Sequence, residues 1–212
     1  MPRFAALFFT ISRKLWAIQY PAQCPPMTTL DQAIAQRLAH LRGQQRLSLA
    51  QLAERAGVSK AMISKIERQD SSPTAAVLGR LASGLGVSLS QLLAEDKPAG
   101  SSALRRREAQ EAWRDPASGY VRRQVAELDQ ASGSELVEIT LPPGQRIDYP
   151  CWHSQPYRQR LWLVEGTLEV TYGEERYLME AGDQLDFAVD KPVSYLAPGS
   201  EPCRYLLNIL HK

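Results

Sequence analysis

The sequence has few of the features that mark secreted or membrane proteins. Its 3 cysteines are too few and too scattered along 212 residues for a disulfide framework, which favours a reduced, cytoplasmic setting. A single bridge between Cys151 and Cys203 stays open as an alternative. No run approaches the roughly 18 apolar residues that a membrane-spanning helix needs, so we expect no membrane partner. The length suits two globular domains of roughly 70 to 100 residues each.

The chain also lacks a strong excess of charge of either sign, since its formal net charge is only +2. This balance hides an asymmetry between its two parts. Residues 27–95 contain 8 Lys and Arg against 5 Asp and Glu, whereas residues 120–212 contain 9 against 14. Only the first part therefore suits a polyanionic partner such as nucleic acid.

Composition changes along the chain predict its organisation. The first residues have a short apolar core broken by Arg13 and Lys14 and no clear cleavage site, so they make a poor secretion signal. A far more regular pattern begins at Met27. We therefore predict an N-terminal extension that is disordered or precedes the true start, then a helical domain, a linker rich in Pro, Gly and Ser, and a strand-rich domain, over residues 1–26, 27–95, 96–119 and 120–212.

Five short helices are expected in the helical domain. An apolar stripe over Asp31–Gln44 predicts the first, and a capping box of Ser48 with Gln51 begins the second, which Gly57 ends. Ser59 is expected to cap a third helix, with Met62, Ile63 and Ile66 turned inward. Further caps predict helices over Thr74–Gly84 and Leu89–Ala94.

The second and third helices have the spacing of a helix-turn-helix, with a small residue, Ala53, where the helices cross and Gly57 where the chain turns. The third helix should then present one polar, basic face opposite its apolar side. Its small first-turn side chains would let the backbone approach base edges in a major groove, although an ordinary solvated face is the alternative. The DNA-contacting residues that we predict are Ser59, Lys60, Ala61, Ser64, Lys65 and Arg68.

After Tyr120 the apolar period changes from 3.6 to 2, and strand-like runs alternate with turns such as Pro143-Gly144 and Pro198-Gly199. Regularly spaced strands without intervening helices predict an antiparallel sandwich or barrel. The expected fold class is α + β in two domains.

Residues 31–94, in particular "RLAHLRGQQRLSLAQLAERAGVSKAMISKIERQDSSPTAAVLGRLASGLGVSLSQLL", resemble the five-helix Cro/CI-type (XRE) DNA-binding domain from end to end. The resemblance implies that the third helix is the recognition helix and that Arg42 pairs with Glu67 in a structural role. Arg46 departs from the pattern, because the family usually has glycine after the first helix.

Residues 120–212 resemble a cupin, a double-stranded β-helix barrel, through "LPPG", "LVEGTLEV", "AGDQLDF" and "PVSYLAPGSEPCRYLLNIL". The metal ligands of that family correspond here to His153, Gln155, Gln159 and Val193, so one good ligand remains and we expect no metal. Cys151 and His153, two residues apart on an expected strand, could share a metal, but no third donor is evident.

Without a metal, the barrel offers groups that could bind an organic molecule. The candidate ligand-binding residues are His153, Gln155, Gln159, Tyr149, Phe187 and Tyr195. The alternative is that these residues only fill the barrel. Trp152, Tyr157 and Trp162 could equally pack against a second subunit.

The combined resemblance, to XRE regulators with a cupin sensor, implies a sequence-specific DNA-binding transcriptional regulator and not an enzyme. Its expected partners are a double-stranded DNA operator, a second copy of the chain in a homodimer held mainly by the cupin, and a small-molecule effector, and no cofactor is expected. The rival is a metal-dependent cupin enzyme with an accessory DNA-binding domain. A third alternative is an antitoxin or other interaction module.

Overall fold

A computed structural model describes residues 29–93, 103–129, 131–152 and 157–211. The extension predicted over residues 1–26 lies outside these ranges. The first part of the described chain forms five helices, as the sequence predicts. They are α1 Thr29–Gln44, α2 Leu49–Ala56, α3 Lys60–Glu67, α4 Ala75–Leu85 and α5 Leu89–Leu93.

The predicted helix signals are confirmed at the start of α2, α3 and α5. Ser48 and Gln51 form the reciprocal capping box, and Ser59 Oγ accepts a hydrogen bond from the Met62 N–H. Ser88 and Gln91 repeat the box before α5. Each cap satisfies a backbone N–H that has no partner inside the helix.

Four residues in turns of the helical domain adopt the left-handed conformation, namely Arg46, Gly57, Gln69 and Gly86. Gly57 ends α2 with φ 61°, as predicted. After α1, where the family usually has glycine, Arg46 adopts φ 54°. A side chain in this conformation costs on the order of 1 kcal/mol, so Arg46 makes this turn at a small energetic cost.

One prediction for α3 is wrong in part. Ile63 and Ile66 are buried, but Met62, which the pattern placed inward, is 37% exposed. Met62 is adjacent to Ile63 on the helix, so its side chain projects about 100° away from that of Ile63. The inward stripe of α3 is therefore narrower than the pattern indicates.

The second part of the described chain forms ten strands in two antiparallel sheets, which confirms the predicted β architecture. Their order is β1-β2-β3-β10-β5-β8 in one sheet and β4-β9-β6-β7 in the other. The strands are β1 Ala112–Arg114, β2 Val121–Asp129, β3 Ser134–Leu141, β4 Arg146–Tyr149, β5 Arg158–Glu165, β6 Thr167–Tyr172, β7 Glu175–Glu180, β8 Gln184–Ala188, β9 Val193–Leu196 and β10 Cys203–Leu210.

The core of this domain lies between the two sheets. On the central strand β10, side chains alternate in burial, with Tyr205, Leu207 and Ile209 buried. Such alternation is what a strand with one covered face requires. Cys203 is buried on the same side, and Cys203 and Cys151 are both free thiols.

Part of the range predicted as linker has regular structure. A short 3₁₀ turn covers Arg107–Ala109, and β1 pairs with β2 at the edge of the larger sheet. Asp115, just after β1, accepts a hydrogen bond from the Ala75 N–H at the start of α4, at 3.1 Å. This segment therefore contacts both domains.

The helical domain packs against the barrel through α4 and the turn that follows it. Gly79 of α4 lies against the ring of Tyr149, so close that a Cβ there would sit 2.3 Å from Tyr149 Cδ1. Trp152 Nε1 donates to the Val87 carbonyl at 3.1 Å, and Ser83 Oγ donates to the Cys151 carbonyl at 3.1 Å. These contacts hold the two domains together within one chain.

Cys151 follows β4 and does not lie on a strand, contrary to the expectation. Within the described ranges, none of the helices has the length and apolarity to traverse a bilayer.

Candidate nucleic-acid interface and ligand cavities

One face of α3 projects into solvent. Ser59, Lys60, Ala61 and Lys65 are exposed, and Ser64 is half-buried. Ile63 and Ile66, on the opposite side, are buried in the helical core. The structure therefore brings the predicted DNA-contacting residues onto one surface, which we call the α3 face, defined as Ser59, Lys60, Ala61, Ser64, Lys65 and Arg68.

Local partners already engage three members of the α3 face, Ser59, Ser64 and Arg68. The Ser59 hydroxyl caps the helix as an acceptor, which leaves its O–H available as a donor. Arg68 donates to Ser64 Oγ at 2.6 Å and pairs with Asp70 at 2.9 Å. Among the described residues, Lys60 and Lys65 have no ion-pair partner, so they are the cations of the α3 face that a polyanion meets first.

A bidentate ion pair fixes α3 to α1. Arg42 Nε and Nη2 donate to the two Glu67 carboxylate oxygens at 2.7 and 2.9 Å, and Arg42 Nη1 donates to the Leu47 carbonyl at 2.9 Å. The hydrogen bond with Glu67 raises the pKa of Arg42 against the opposing effect of desolvation. Two parallel bonds give the pair a defined geometry, so it sets the orientation of α3.

The barrel interior contains a small cavity, of about 30 Å³. It brings together three of the predicted ligand-binding residues, Tyr149, Gln159 and Tyr195. The Tyr195 hydroxyl donates to Gln159 Oε1 at 2.9 Å, whereas the buried Tyr149 hydroxyl has no hydrogen-bond partner among the described residues. A cavity of this size holds about one or two water molecules, so aromatic side chains fill most of the barrel.

The other predicted members of this pocket are placed differently. Phe187 does not line the cavity and packs instead between the rings of Tyr172 and Tyr195, with centroid distances of 5.6 and 6.4 Å. His153 and Gln155 lie outside the described residues. The pocket of six residues stays a prediction.

Two aromatic residues that we considered for a subunit contact are buried within the chain. Trp152 and Tyr157 line the barrel cavity, with Trp152 tied to the helical domain. Trp162 alone of the three is exposed, at 51%.

The described residues do not fit the family's metal site. Gln159 has its amide oxygen engaged by Tyr195, and Val193 offers no donor atom. In the part of the chain that the structure describes, no three His, Cys, Asp or Glu side chains are grouped to hold a metal ion.

A larger cavity, of about 280 Å³, lies between the helical domain and the larger sheet. No sequence pattern singles it out. Its lining residues come from both domains and are Leu30, Arg37, Ser90, Gln91, Leu93, Glu111, Trp113, Arg122, Gln124, Glu127, Leu128 and Glu135.

Buried polar groups meet on one side of this cavity. We define the interdomain polar cluster as Ser90, Arg122, Gln124, Glu135 and His211. Arg122 donates through Nη2 to Ser90 Oγ of α5, and Glu135 accepts hydrogen bonds from Gln124 at 3.0 Å and from His211 at 2.9 Å. Val121 and Arg122 are consecutive on β2 and both buried, because the barrel covers one face of the strand and the helical domain covers the other.

The cluster lowers the pKa of its carboxylate, Glu135. Burial alone would raise the pKa of Glu135, but the hydrogen bond with His211 and the positive charge of Arg122 outweigh it and lower that pKa. Glu135 is therefore a buried, ionised counter-charge to Arg122 at neutral pH.

Comparison with known proteins identifies both domains. A helix-turn-helix family model (HTH_3) matches residues 38–92, and a cupin domain model (Cupin_2) matches residues 137–209. The chain thus carries an XRE-type helix-turn-helix domain followed by a cupin domain, as its sequence predicts.

Two transcriptional regulators align with most of this chain. The HTH-type transcriptional regulator SutR of Escherichia coli K12 is 28% identical over 180 residues, which cover 84% of this chain and 95% of SutR. The crystal structure of an HTH_3 family transcriptional regulator from Vibrio cholerae is 28% identical, with a TM-score of 0.71 over 86% of this chain and 97% of its own. Hydroxypropylphosphonic acid epoxidase from S. wedmorenis, at 18% identity and a TM-score of 0.44 over 86% of this chain and 99% of its own, is too distant to inform function.

Proposed function

We propose that this protein is a DNA-binding transcriptional regulator that reads an operator through the α3 face. The observation that carries the proposal is the exposure of Lys60, Ala61 and Lys65 on one side of a helix that the Arg42–Glu67 pair holds in place. The two regulators to which the chain is similar support the same role, and they favour it over that of an enzyme.

The chemistry of the α3 face suits the major groove. Ala61 is small, so the first turn of α3 can approach base edges closely. Lys60 and Lys65 can donate to guanine acceptors or to phosphate, while the Ser59 hydroxyl and the N-terminus of α3 can contact phosphate. Arg68 can reach a phosphate when its surface pair with Asp70 opens, which costs little.

A single recognition helix makes few base contacts, so useful specificity requires two copies. The protein would act as a homodimer on two half-sites about one helical turn apart. We assign the cupin domain the main dimer contact, with Trp162 as its candidate residue because this large aromatic side chain is exposed on β5. Trp162→Arg should lower the dimer fraction in sedimentation velocity, and an unchanged dimer would exclude this residue from the interface.

The cupin domain would bind a small organic effector, for which the barrel cavity of about 30 Å³ must open. Such a ligand changes operator affinity only by the difference in its affinity for two states of the protein. Effector binding is therefore best measured through the change in operator affinity that the effector causes.

Selection from random duplex DNA, followed by binding measurements on the enriched sequence, tests the DNA-binding role. Lys65→Ala and Lys60→Ala should each weaken binding by about 1 to 3 kcal/mol for a base contact, or reduce the salt dependence for a phosphate contact. Lys191→Ala removes the same charge from the cupin domain and serves as the matched control.

Three outcomes would count against the proposal. Equal binding by all three variants would exclude the α3 face, and absence of any enriched sequence would exclude sequence-specific binding. Stoichiometric iron, manganese or zinc in protein purified without chelator would instead favour the metal-dependent enzyme.

A further inference from the structure

The barrel cavity and the interdomain cavity differ greatly in size. The barrel cavity, at about 30 Å³, admits water, whereas the cavity between the domains, at about 280 Å³, approaches the lower end of small-molecule sites. The second is large enough for a ligand of amino-acid size.

Two buried donors on residues that line this cavity lack a partner. Arg122 Nε and Trp113 Nε1 are buried, and neither makes a hydrogen bond to any described residue. Leaving such a donor unsatisfied is costly, so a ligand acceptor that reaches it once the lining side chains shift is stabilised. Arg122 also carries a positive charge, so an anionic acceptor fits best.

The remaining charges on the lining argue against a simple anion. Arg37 and Arg122 are cationic, but Glu111, Glu127 and Glu135 also line the cavity. Glu127 pairs with Arg105 at 3.1 Å, and Glu135 is the counter-charge to Arg122. A lone anion would lie near three carboxylates, and a lone cation would lie near two guanidinium groups. A molecule that carries both charges can place each near its complement.

Apolar side chains complete the lining. Leu30 of α1, Leu93 of α5 and Leu128 of β2 contribute hydrocarbon surface alongside the Trp113 ring. An apolar substituent on the ligand would gain free energy by leaving water for this surface.

We propose that the interdomain cavity binds a small molecule of amino-acid size that has a carboxylate, an amine and an apolar side chain. The carboxylate accepts hydrogen bonds from Arg122 Nε and Trp113 Nε1. The amine faces the glutamates, and the apolar side chain packs on the three leucines.

The position of this site provides a route from ligand to DNA. Arg122 reaches from β2 to Ser90 on α5, so a ligand bound to Arg122 stabilises one arrangement of the helical domain on the barrel. In a dimer, that arrangement sets the distance between the two α3 faces. This regulatory meaning rests on the proposed function, but binding to the cavity does not.

The test measures binding without DNA. Purified full-length protein is screened by thermal shift against the common amino acids, and hits are confirmed by calorimetry. For each hit, the matched carboxylic acid without the amine and the matched amine without the carboxylate are tested. We expect at least one apolar amino acid to raise the melting temperature, with both matched compounds binding at least tenfold more weakly.

Three variants locate the site. Trp113→Phe removes one donor and should weaken binding about tenfold, the effect of one hydrogen bond to a charged group. Leu128→Trp fills the cavity and should abolish binding while the protein stays folded, which its own melting curve verifies. Tyr195→Phe tests the barrel cavity as the alternative site, and Lys191→Ala, on the barrel surface, should bind as the parent does.

Several results would overturn the inference. They are no shift with any amino acid, equal binding of the compound without an amine, or loss of binding in Tyr195→Phe with Trp113→Phe and Leu128→Trp unaffected. Operator binding measured separately, without any small molecule, keeps a failure here distinct from a failure of the regulator proposal.

Discussion

The α3 face and the interdomain polar cluster both consist largely of charged and hydrogen-bonding residues. The charges of the first are exposed to solvent, whereas those of the second are buried. Lys60 and Lys65 lie in solvent without an ion-pair partner among the described residues. Arg122 and Glu135 are buried and hydrogen-bond to other protein groups. Water stabilises the first pair of charges, whereas protein groups stabilise the second.

This difference separates residues for recognition from residues for architecture. A solvated cation can be removed at little cost to folding, and its loss is felt when a polyanion binds. A buried charge cannot lose its partner without leaving the other charge unpaired in a poor solvent. The Arg42–Glu67 pair lies between these cases, because it is partly buried and yet positions the recognition helix.

The largest effect is expected from breaking that intermediate pair. Glu67→Ala leaves Arg42 with only the Leu47 carbonyl, and we expect the free energy of unfolding to fall by about 2 to 3 kcal/mol, somewhat below the cost for a fully buried pair. Asp70→Ala breaks the exposed pair with Arg68 and should change stability by less than about 1 kcal/mol. Urea denaturation of both variants makes the comparison, and equal losses would place the Arg42 pair among ordinary surface pairs.

The domain contact gives the next largest effect. Gly79→Ala would place a Cβ 2.3 Å from Tyr149 Cδ1, so the ring or α4 must move, at about 1 to 3 kcal/mol. Gly43→Ala is the matched control, because Gly43 also lies in a helix but has no atom near the added Cβ, and this change should be neutral or stabilising. In calorimetry, Gly79→Ala should unfold at lower temperature or in two steps. Identical curves for the two variants would mean that the domains do not pack as described.

The smallest effect is confined to acidic solution. The pKa of Glu135 is lower in the folded chain than its ordinary value near 4.5, because of His211 and Arg122. The stabilisation from this ionised carboxylate is therefore complete above about pH 4.5 and is lost as the pH falls through the lowered folded pKa. Burial raises the pKa of nearby Tyr157, so this phenol stays neutral over the acidic range.

Unfolding midpoints measured from pH 7 to pH 3 test this prediction. Glu135→Gln should lose less stability on acidification than the parent protein does. Glu174→Gln, which changes an exposed turn residue, should follow the parent. A parallel pH dependence in all three proteins would show that Glu135 is not the group responsible.

Local sequence patterns predict much of the structure of the helical domain. The cap at Ser48 with Gln51 and the glycine turn at Gly57 depend on residues within one helical turn, so spacing alone predicts them. Met62 was misplaced because an apolar residue next to Ile63 extends the stripe in sequence but not on the helix surface. The antiparallel strands were equally readable, since their alternation records which face is covered.

The candidate sites also differ in whether local sequence patterns predict them. The α3 face follows from helical spacing, so its members could be named in advance. Arg122, Trp113 and Glu135 could not be named in advance, because their partners lie on other elements. In addition, no periodic pattern marks a strand that is covered on both faces. Trp152 and Tyr157 had suitable chemistry for a subunit contact, but only the packing of α4 and its following turn on the barrel shows that they are buried within the chain.

The sequence by itself determined the two domain types, the helix boundaries and the polar face of α3, because each depends on the order and period of nearby residues. The tertiary structure alone decided how the helical domain sits on the barrel, how little space the barrel retains and where the interdomain cavity opens. These features depend on distances between residues far apart along the chain, and side-chain volume and burial set those distances only once the fold is complete.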